Sequence, residues 1–372
     1  MITQLEIKNF RGFSEYTIED VGQVNLLVGT NNCGKTSILE AVHLLKSRGD
    51  AAVLFSLLSR RGERIQNEER THRDAEGDLC RLFHGFGLTP KSSLVISAAD
   101  HAIEKLSVSI NEIQPVQLHL FKDLVDSAGR YQLDVEWGSD QDRNTKQEYP
   151  ISYTGGLSYH YMRKMSHATK SSIEDDRNIE FVPASSLAPQ EIVALFDKIV
   201  LTPDEELVLE TVKIIEPDII RLASLGVSDG YYPLRSGDYA RGGIIVKSSK
   251  WEERIPIGSF GDGIWRLLGL ILSLVAAKNG TLLIDEIDTG LHHTVMSKMW
   301  KLICTTARKL NVQVFATTHS SDCWKTLADN AVEEEFADMP IRIHRINKDK
   351  ESAVTFTNRE MHLALDREIE VR

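Results

Sequence analysis

The sequence predicts an α/β fold: a mixed and parallel sheet with flanking helices, interrupted by a central antiparallel and helical insertion. Three observations point there. Gly29-Thr30-Asn31-Asn32-Cys33-Gly34-Lys35-Thr36 fits the G-x-x-x-x-G-K-[ST] pattern of a phosphate-binding loop. Residues 281–286 form an apolar run ending in the carboxylates Asp285 and Glu286, and residues 313–317 form another that runs into Thr318-His319-Ser320. Strand, helix, strand alternation of this kind implies parallel strands that gather their ligands at the carboxyl ends. The expected division is 1–50 for the first part of the nucleotide core, 51–240 for the insertion and 241–372 for the second part.

Taken in order, residues 2–7 alternate apolar and polar side chains, and Tyr16-Thr17-Ile18 repeats the signal after the turn at Arg11-Gly12. This strand pair is expected to lead into the phosphate-loop strand, Val24-Asn25-Leu26-Leu27-Val28. Ile38, Leu39, Val42 and Leu45 then lie at helical spacing. Gly29 and Gly34 allow successive backbone N–H groups to wrap a phosphate. Lys35 offers a point charge to the β and γ phosphates of ATP, and the Thr36 hydroxyl offers a ligand to Mg2+. Asn31, Asn32, Cys33 and Ser37 complete the loop at the helix N-terminus. Cys33 sits where a thiol pKa can be lowered, and an inert packed thiol fits the position equally.

A helix is expected around residues 51–58, followed by a charged stretch from Arg60-Arg61-Gly62-Glu63-Arg64 to Arg73-Asp74 whose mixed signs read as a solvated face. Short alternating runs at 94–96, 116–120, 131–135 and 151–153 suggest an antiparallel sheet. From 186 to 225 the pattern turns helical, with Pro203 near one first turn and Pro217 marking a kink or a new helix. The strand Ile244-Ile245-Val246 follows. The apolar stretch 265–277 contains Arg266 and is too short to span a bilayer, so it reads as a buried helix.

The formal net charge is -11, from 43 Lys and Arg against 54 Asp and Glu. Such a surface does not attract a polyanion as a whole, so nucleic-acid binding must be local. Arg163-Lys164, His167 and Lys170 are the candidate basic site, against a solvated turn. Cys33, Cys80, Cys304 and Cys323 form no C-x-x-C pair and no zinc spacing, and the N-terminus carries no signal-peptide pattern. A cytoplasmic location, no membrane partner and no structural metal are therefore expected.

The chemistry concentrates at three further places. Asp285 is the expected second ligand of Mg2+, and Glu286 beside it can align or deprotonate the water that attacks the γ phosphate. His319, ending the next strand, is a candidate γ-phosphate sensor. Ser259-Phe260-Gly261 opens a helix and makes a second anion-binding terminus. One chain has no obvious need for two, so the second turn is expected to close over nucleotide bound by another copy in a homodimer or higher homo-oligomer.

In this order the motifs resemble an ABC-type ATPase head of the class shared by recombination protein F, the chromosome-maintenance ATPases and the OLD family. The residues that carry the resemblance are Gly261-Asp262-Gly263-Ile264-Trp265-Arg266, Ile284-Asp285-Glu286-Ile287-Asp288-Thr289-Gly290-Leu291-His292-His293, Val312-Gln313-Val314-Phe315-Ala316-Thr317-Thr318-His319-Ser320 and the opening Ile7-Lys8-Asn9-Phe10-Arg11-Gly12-Phe13. Within the class the chain most resembles the compact OLD-like AAA family ATPases. The resemblance implies that Lys35 and Thr36 hold phosphate and Mg2+, that Asp285 and Glu286 are the Walker B pair, and that Asp288 belongs to the interprotomer D-loop. It also implies that His319 is the switch histidine, that Arg11 lies near the phosphates, and that Ser259 and Gly261 contact the γ phosphate across a head-to-tail dimer.

The chain departs from the pattern in its short signature, Ser259-Phe260-Gly261-Asp262, and in its Q-loop, for which Gln66 is only a guess. No long heptad arms are present. Full-length OLD proteins carry a C-terminal Toprim nuclease, whereas the tail here shows strands at 341–346 and 353–357 and a closing helix. Glu333-Glu334-Glu335 is contiguous and reads as a solvated run. The expectation is an ATPase without its own nuclease, regulating a separate effector, a nuclease or toxin, in phage defence or DNA repair. The competing reading is a nucleic-acid-binding scaffold, with DNA as partner and ATP as a clamp that turns over little.

Overall fold

The computed structural model describes residues 1–65, 76–100, 102–113, 128–139, 144–152, 154–158, 178–224 and 243–371. Gln66, the run 116–120, Tyr153 and the basic residues Arg163, Lys164, His167 and Lys170 lie outside them. The chain forms two compact units, each assembled from three segments: Met1–Val21, Asn32–Arg177 and Ile346–Thr355 in the first, and Gly22–Asn31, Asn178–Arg345 and Phe356–Arg372 in the second. The crossings between units fall elsewhere than the expected boundaries at 50/51 and 240/241. One of them, between Asn31 and Asn32, lies inside the phosphate loop.

The first unit is built on six antiparallel strands in the spatial order Phe13–Ile18, Gln4–Phe10, Ser93–Ala99, Ile103–Glu112, Ala128–Ser139 and Thr145–Ser152. Pairings such as Leu5 with Ile18, Ile7 with Ile96 and Val108 with Val135 set apolar residues together on one face. The strand Ile103–Glu112 escaped the sequence reading, although Leu106, Val108 and Ile110 alternate with polar neighbours. The helices Lys35–Lys46 and Ala51–Arg60 belong to this unit. Asp50 caps the second by accepting from the N–H groups of Ala52 and Val53.

This arrangement corrects one expectation. The opening strand pair does not join the phosphate-loop strand; it edges the antiparallel sheet. Half-buried alternation suits a sheet with one wet face, whereas all five residues of Val24–Val28 are buried, as befits a parallel strand covered on both sides.

The second unit holds that parallel sheet, with neighbours in the order Ile179–Val182, Thr281–Ile284, Gln313–Thr317, Val24–Val28 and Ile341–Arg345. Gly22 must stay small, because a Cβ there would lie 2.3 Å from the Pro340 carbonyl oxygen. The helix Asp262–Ala276 is buried from Ile264 to Val275, as expected of an apolar run that does not cross a membrane. Among the described residues no helix is long and apolar enough to cross one.

Two local expectations change here. Residues 219–224 continue as a strand, Ile219–Ser224, paired antiparallel with Ile244–Ser248, and not as a helix after Pro217. Pro217 stops the helical run, and the β-branched pair Ile219-Ile220 suits a strand edge. The sequence fills the gap from Thr289 to Leu310 with a helix, but the helix begins only at His293, because Gly290 adopts φ 76° and the His292 side chain accepts from the Thr294 N–H as N-cap.

Candidate functional site

The phosphate loop leaves the carboxyl end of Val24–Val28 through Gly29 at φ 143° and enters its helix through Gly34 at φ 102°. Gly34 is obligatory twice over. Its backbone is left-handed, and a Cβ would lie 2.3 Å from the Phe13 ring. Asn31 and Asn32 are exposed, Thr36 is half-buried, and Cys33, Lys35 and Ser37 are buried. Lys35 Nζ lies 3.8 Å from Cys33 Sγ. Helix N-terminal N–H groups, a lysine and a threonine hydroxyl are the donor set that a nucleotide phosphate with its Mg2+ requires, and no acidic residue occupies the first turn to oppose it.

Behind the loop, within the first unit, lies a charged cluster. Glu40, one turn along the helix, is 3% exposed. Its carboxylate accepts from Arg61 Nε at Oε1 and Nη2 at Oε2, at 2.8 and 3.0 Å, and Arg11 Nε lies 2.5 Å from the same Oε2. Arg11 Nη1 in turn reaches both Glu63 oxygens at 2.9 and 3.0 Å, and Arg61 Nη2 donates to Ser37 Oγ at 3.2 Å. Burial pushes the Glu40 carboxyl above its ordinary range, opposed by the two guanidinium groups. Residues 60–62 and 64 are exposed, as their mixed signs suggested, yet Arg61 and Glu63 also reach inward to Glu40 and Arg11. The signal that was missed is Glu40 itself, a carboxylate on the apolar side of a helix, which demands buried cationic partners.

In the second unit, parallel register sets Ile284 beside Ala316, and Thr317 beside Leu27. Asp285, Glu286, Asp288 and His319 consequently lie at the edge where Val24–Val28 ends. Thr317 Oγ1 donates to Asp285 Oδ1 at 2.7 Å and accepts from the Glu286 N–H at 2.8 Å. Thr318 Oγ1 donates to Asp288 Oδ1 at 2.5 Å, and Thr289 Oγ1 to Glu286 Oε2 at 3.1 Å. Glu286 Oε1 lies 3.9 Å from His319 Nε2, with both side chains about two-fifths exposed, at 42% and 41%. The sequence placed Asp285, Glu286 and His319 at one strand edge and the family resemblance added Asp288; Thr289, Thr317 and Thr318, which orient three of these four, were given no role. Nothing in their spacing marks them, since their roles follow from strand register.

The signature turn, Ile257–Phe260, is a single 3-10 turn followed by Gly261 at φ 92°, ψ 178° and the helix Asp262–Ala276. Ser259 and Gly261 are exposed, and a Cβ at Gly261 would meet nothing within 4 Å. Trp251 packs edge-on against Phe260 at 6.0 Å. The turn is thus preformed and open.

Comparisons with known proteins agree with this geometry. Residues 1–83 match the family described as "AAA ATPase domain", and residues 216–322 match "AAA domain, putative AbiEii toxin, Type IV TA system". The chain is 22% identical over 362 residues to a Helicobacter pylori protein named ATP/GTP phosphatase, covering 91% of this chain and 90% of that one. It is 30% identical over 144 residues to the DNA replication and repair protein RecF of Porphyromonas gingivalis, covering 38% and 36% of the two chains. The crystal structure of an Smc head bound to the C-winged helix domain of ScpA aligns over 96% of this chain and 98% of its own, at 15% identity and a TM-score of 0.47.

Proposed function

We propose that the chain is an ABC-type ATPase of the RecF-like class that binds ATP with Mg2+, closes as a head-to-tail homodimer around two nucleotides, and uses hydrolysis to regulate a separate effector, a reading supported by its likeness to AAA ATPase domains, to an ATP/GTP phosphatase and to RecF. Lys35 and the loop N–H groups hold the phosphates, and Thr36 and Asp285 hold the metal. Arg11 braces the loop helix from behind through Glu40, whereas the family resemblance places it near the phosphates. Glu286 accepts a proton from the water that attacks the γ phosphorus, the bond to the β-γ bridging oxygen breaks, and ADP and phosphate leave. His319 reports the γ phosphate from 3.9 Å beside Glu286. Ser259 and Gly261 complete the partner's site, with Asp288 at the junction.

The observation that carries this reading is the single Thr317 hydroxyl that fixes Asp285 and the Glu286 backbone together. Holding the Asp285 carboxylate and the Glu286 backbone on one hydroxyl supports separate tasks for the two residues, Asp285 at the metal and Glu286 at the water. The similarity to a protein named ATP/GTP phosphatase makes GTP the second nucleotide to assay. The RecF relatives support DNA as a partner in repair, and the match to a toxin-associated family supports a toxin or nuclease effector in phage defence. Such roles suit a cytoplasmic protein.

Hydrolysis and binding measured on three proteins test it. Lys35→Ala should abolish ATP binding. Glu286→Gln should bind ATP, accumulate as a dimer, and lose about 10²–10⁴-fold in kcat. Hydrolysis by Glu286→Gln at the wild-type rate would remove the general-base assignment. A DNA affinity that falls steeply with salt would establish the nucleic-acid partner.

A further inference from the structure

Arg266 lies one turn into the helix opened by the signature turn, and only 2% of it is exposed. Its Nη1 donates to the Pro183 carbonyl at 2.6 Å, and its Nη2 to the carbonyls of Asp285 at 2.8 Å and Glu286 at 3.0 Å. Burial lowers its pKa to about 10, against the pull of Asp285, Asp288 and Glu286, so it stays charged at neutral pH. A buried guanidinium costs desolvation and is retained where its hydrogen bonds are used. Here they go to backbone carbonyls at the ends of two neighbouring strands.

Three other features single out this contact. Glu286 adopts φ 49°, a conformation that costs free energy unless its surroundings impose it. Its N–H is held by Thr317 and its carbonyl by Arg266, so both sides of the strained residue are pinned. The same helix touches the same segment again at Gly263, where a Cβ would lie 3.2 Å from the Gly290 carbonyl oxygen. A cleft of about 860 Å³, lined by Asp262, Trp265, Arg266, Thr289 and Gly290, adjoins both contacts and gives the first turn of the helix room to shift.

We propose that Arg266 is a positioning residue that ties the signature turn to Glu286 of the same chain, so that engagement of Ser259 and Gly261 by a second copy's nucleotide sets the orientation of this copy's general base. The two sites of a dimer then fire together. This inference rests on the proposed reading of Glu286 and the signature turn.

ATP binding, hydrolysis and thermal unfolding of the full chain test it in Arg266→Met and Arg266→Lys, beside wild type and Glu286→Gln. Methionine keeps the buried stem without charge, and lysine keeps the charge but cannot bridge three carbonyls. Both variants should bind ATP within about twofold of wild type, lose about tenfold or more in kcat, and show a Hill coefficient that falls from about 2 towards 1. Wild-type kcat and Hill coefficient in both, with Glu286→Gln inactive, would overturn the role of Arg266 and leave the site reading standing. Wild-type hydrolysis by Glu286→Gln would remove the site reading and the inference with it, and a wild type without cooperativity removes the inference alone. If the methionine variant does not fold, the lysine variant decides: lost kcat at unchanged affinity supports positioning, and equal losses of both that follow the melting temperature overturn it.

Discussion

The phosphate loop and the signature turn are built alike and finished differently. Each ends in a glycine at positive φ, 102° at Gly34 and 92° at Gly261, and each opens a helix. Gly34 is wedged against Phe13, and its helix is anchored by Glu40, Arg11 and Arg61. Gly261 faces open space. The first turn is completed by its own chain. The second is left open at the surface.

Gly34→Ala should have the largest effect on the fold. The added methyl group meets both the Phe13 ring and a left-handed backbone, so stability should fall by about 3 kcal/mol or more and ATP binding should vanish, read by urea unfolding and nucleotide titration. A variant that binds ATP normally would mean that the loop is looser than its packing indicates. Ser259→Arg should do the reverse. The side chain is exposed, so melting temperature and ATP affinity should stay near wild type while hydrolysis falls about 100-fold, roughly 3 kcal/mol of transition-state stabilisation. Unchanged turnover would disconnect the signature turn from the chemistry.

Gly261→Ala should cost only the backbone strain, about 2 kcal/mol, because no neighbour obstructs its Cβ. A cost equal to that of Gly34→Ala would erase the contrast between the turns. The smallest effect is one of pH. His43, on the buried side of the phosphate-loop helix, has its pKa lowered from 6.5 to about 3 by burial, with Arg60 contributing. The unfolded chain takes up a proton below pH 6.5 that the folded chain refuses until about pH 3. The contribution of neutral His43 is therefore complete above 6.5 and is lost as pH falls through that window, about 1.4 kcal/mol by pH 5.5. Denaturant midpoints at pH 7.5 and 5.5 should show this loss in wild type and not in His43→Asn; Glu40, shifted upward, acts in the opposite sense in both proteins and cancels.

The site was legible where its residues are contiguous. The loop 29–36, the pair Asp285-Glu286 and the Thr317-Thr318-His319 strand end each announce themselves by spacing, because strand, turn and helix follow one another along the chain. The cluster around Glu40 was not legible, since Arg11, Glu40, Arg61 and Glu63 are scattered over fifty residues and only packing unites them. The destination of the opening strands was missed for a related reason: alternation says that Gln4–Phe10 is a half-buried strand, but not which sheet receives it.

The sequence by itself determined that a glycine-rich loop of phosphate-binding pattern leads from a strand into a helix N-terminus and that two carboxylates and a histidine end neighbouring strands, because local backbone geometry and periodicity are written in consecutive residues. Only the tertiary structure decided that the loop straddles two units, that one threonine hydroxyl holds the Asp285 carboxylate and the Glu286 backbone N–H, and that Arg266 reaches back from the signature helix to the carbonyls of the same two residues. Those are facts of register and burial, and they exist only once distant segments are brought within hydrogen-bonding distance.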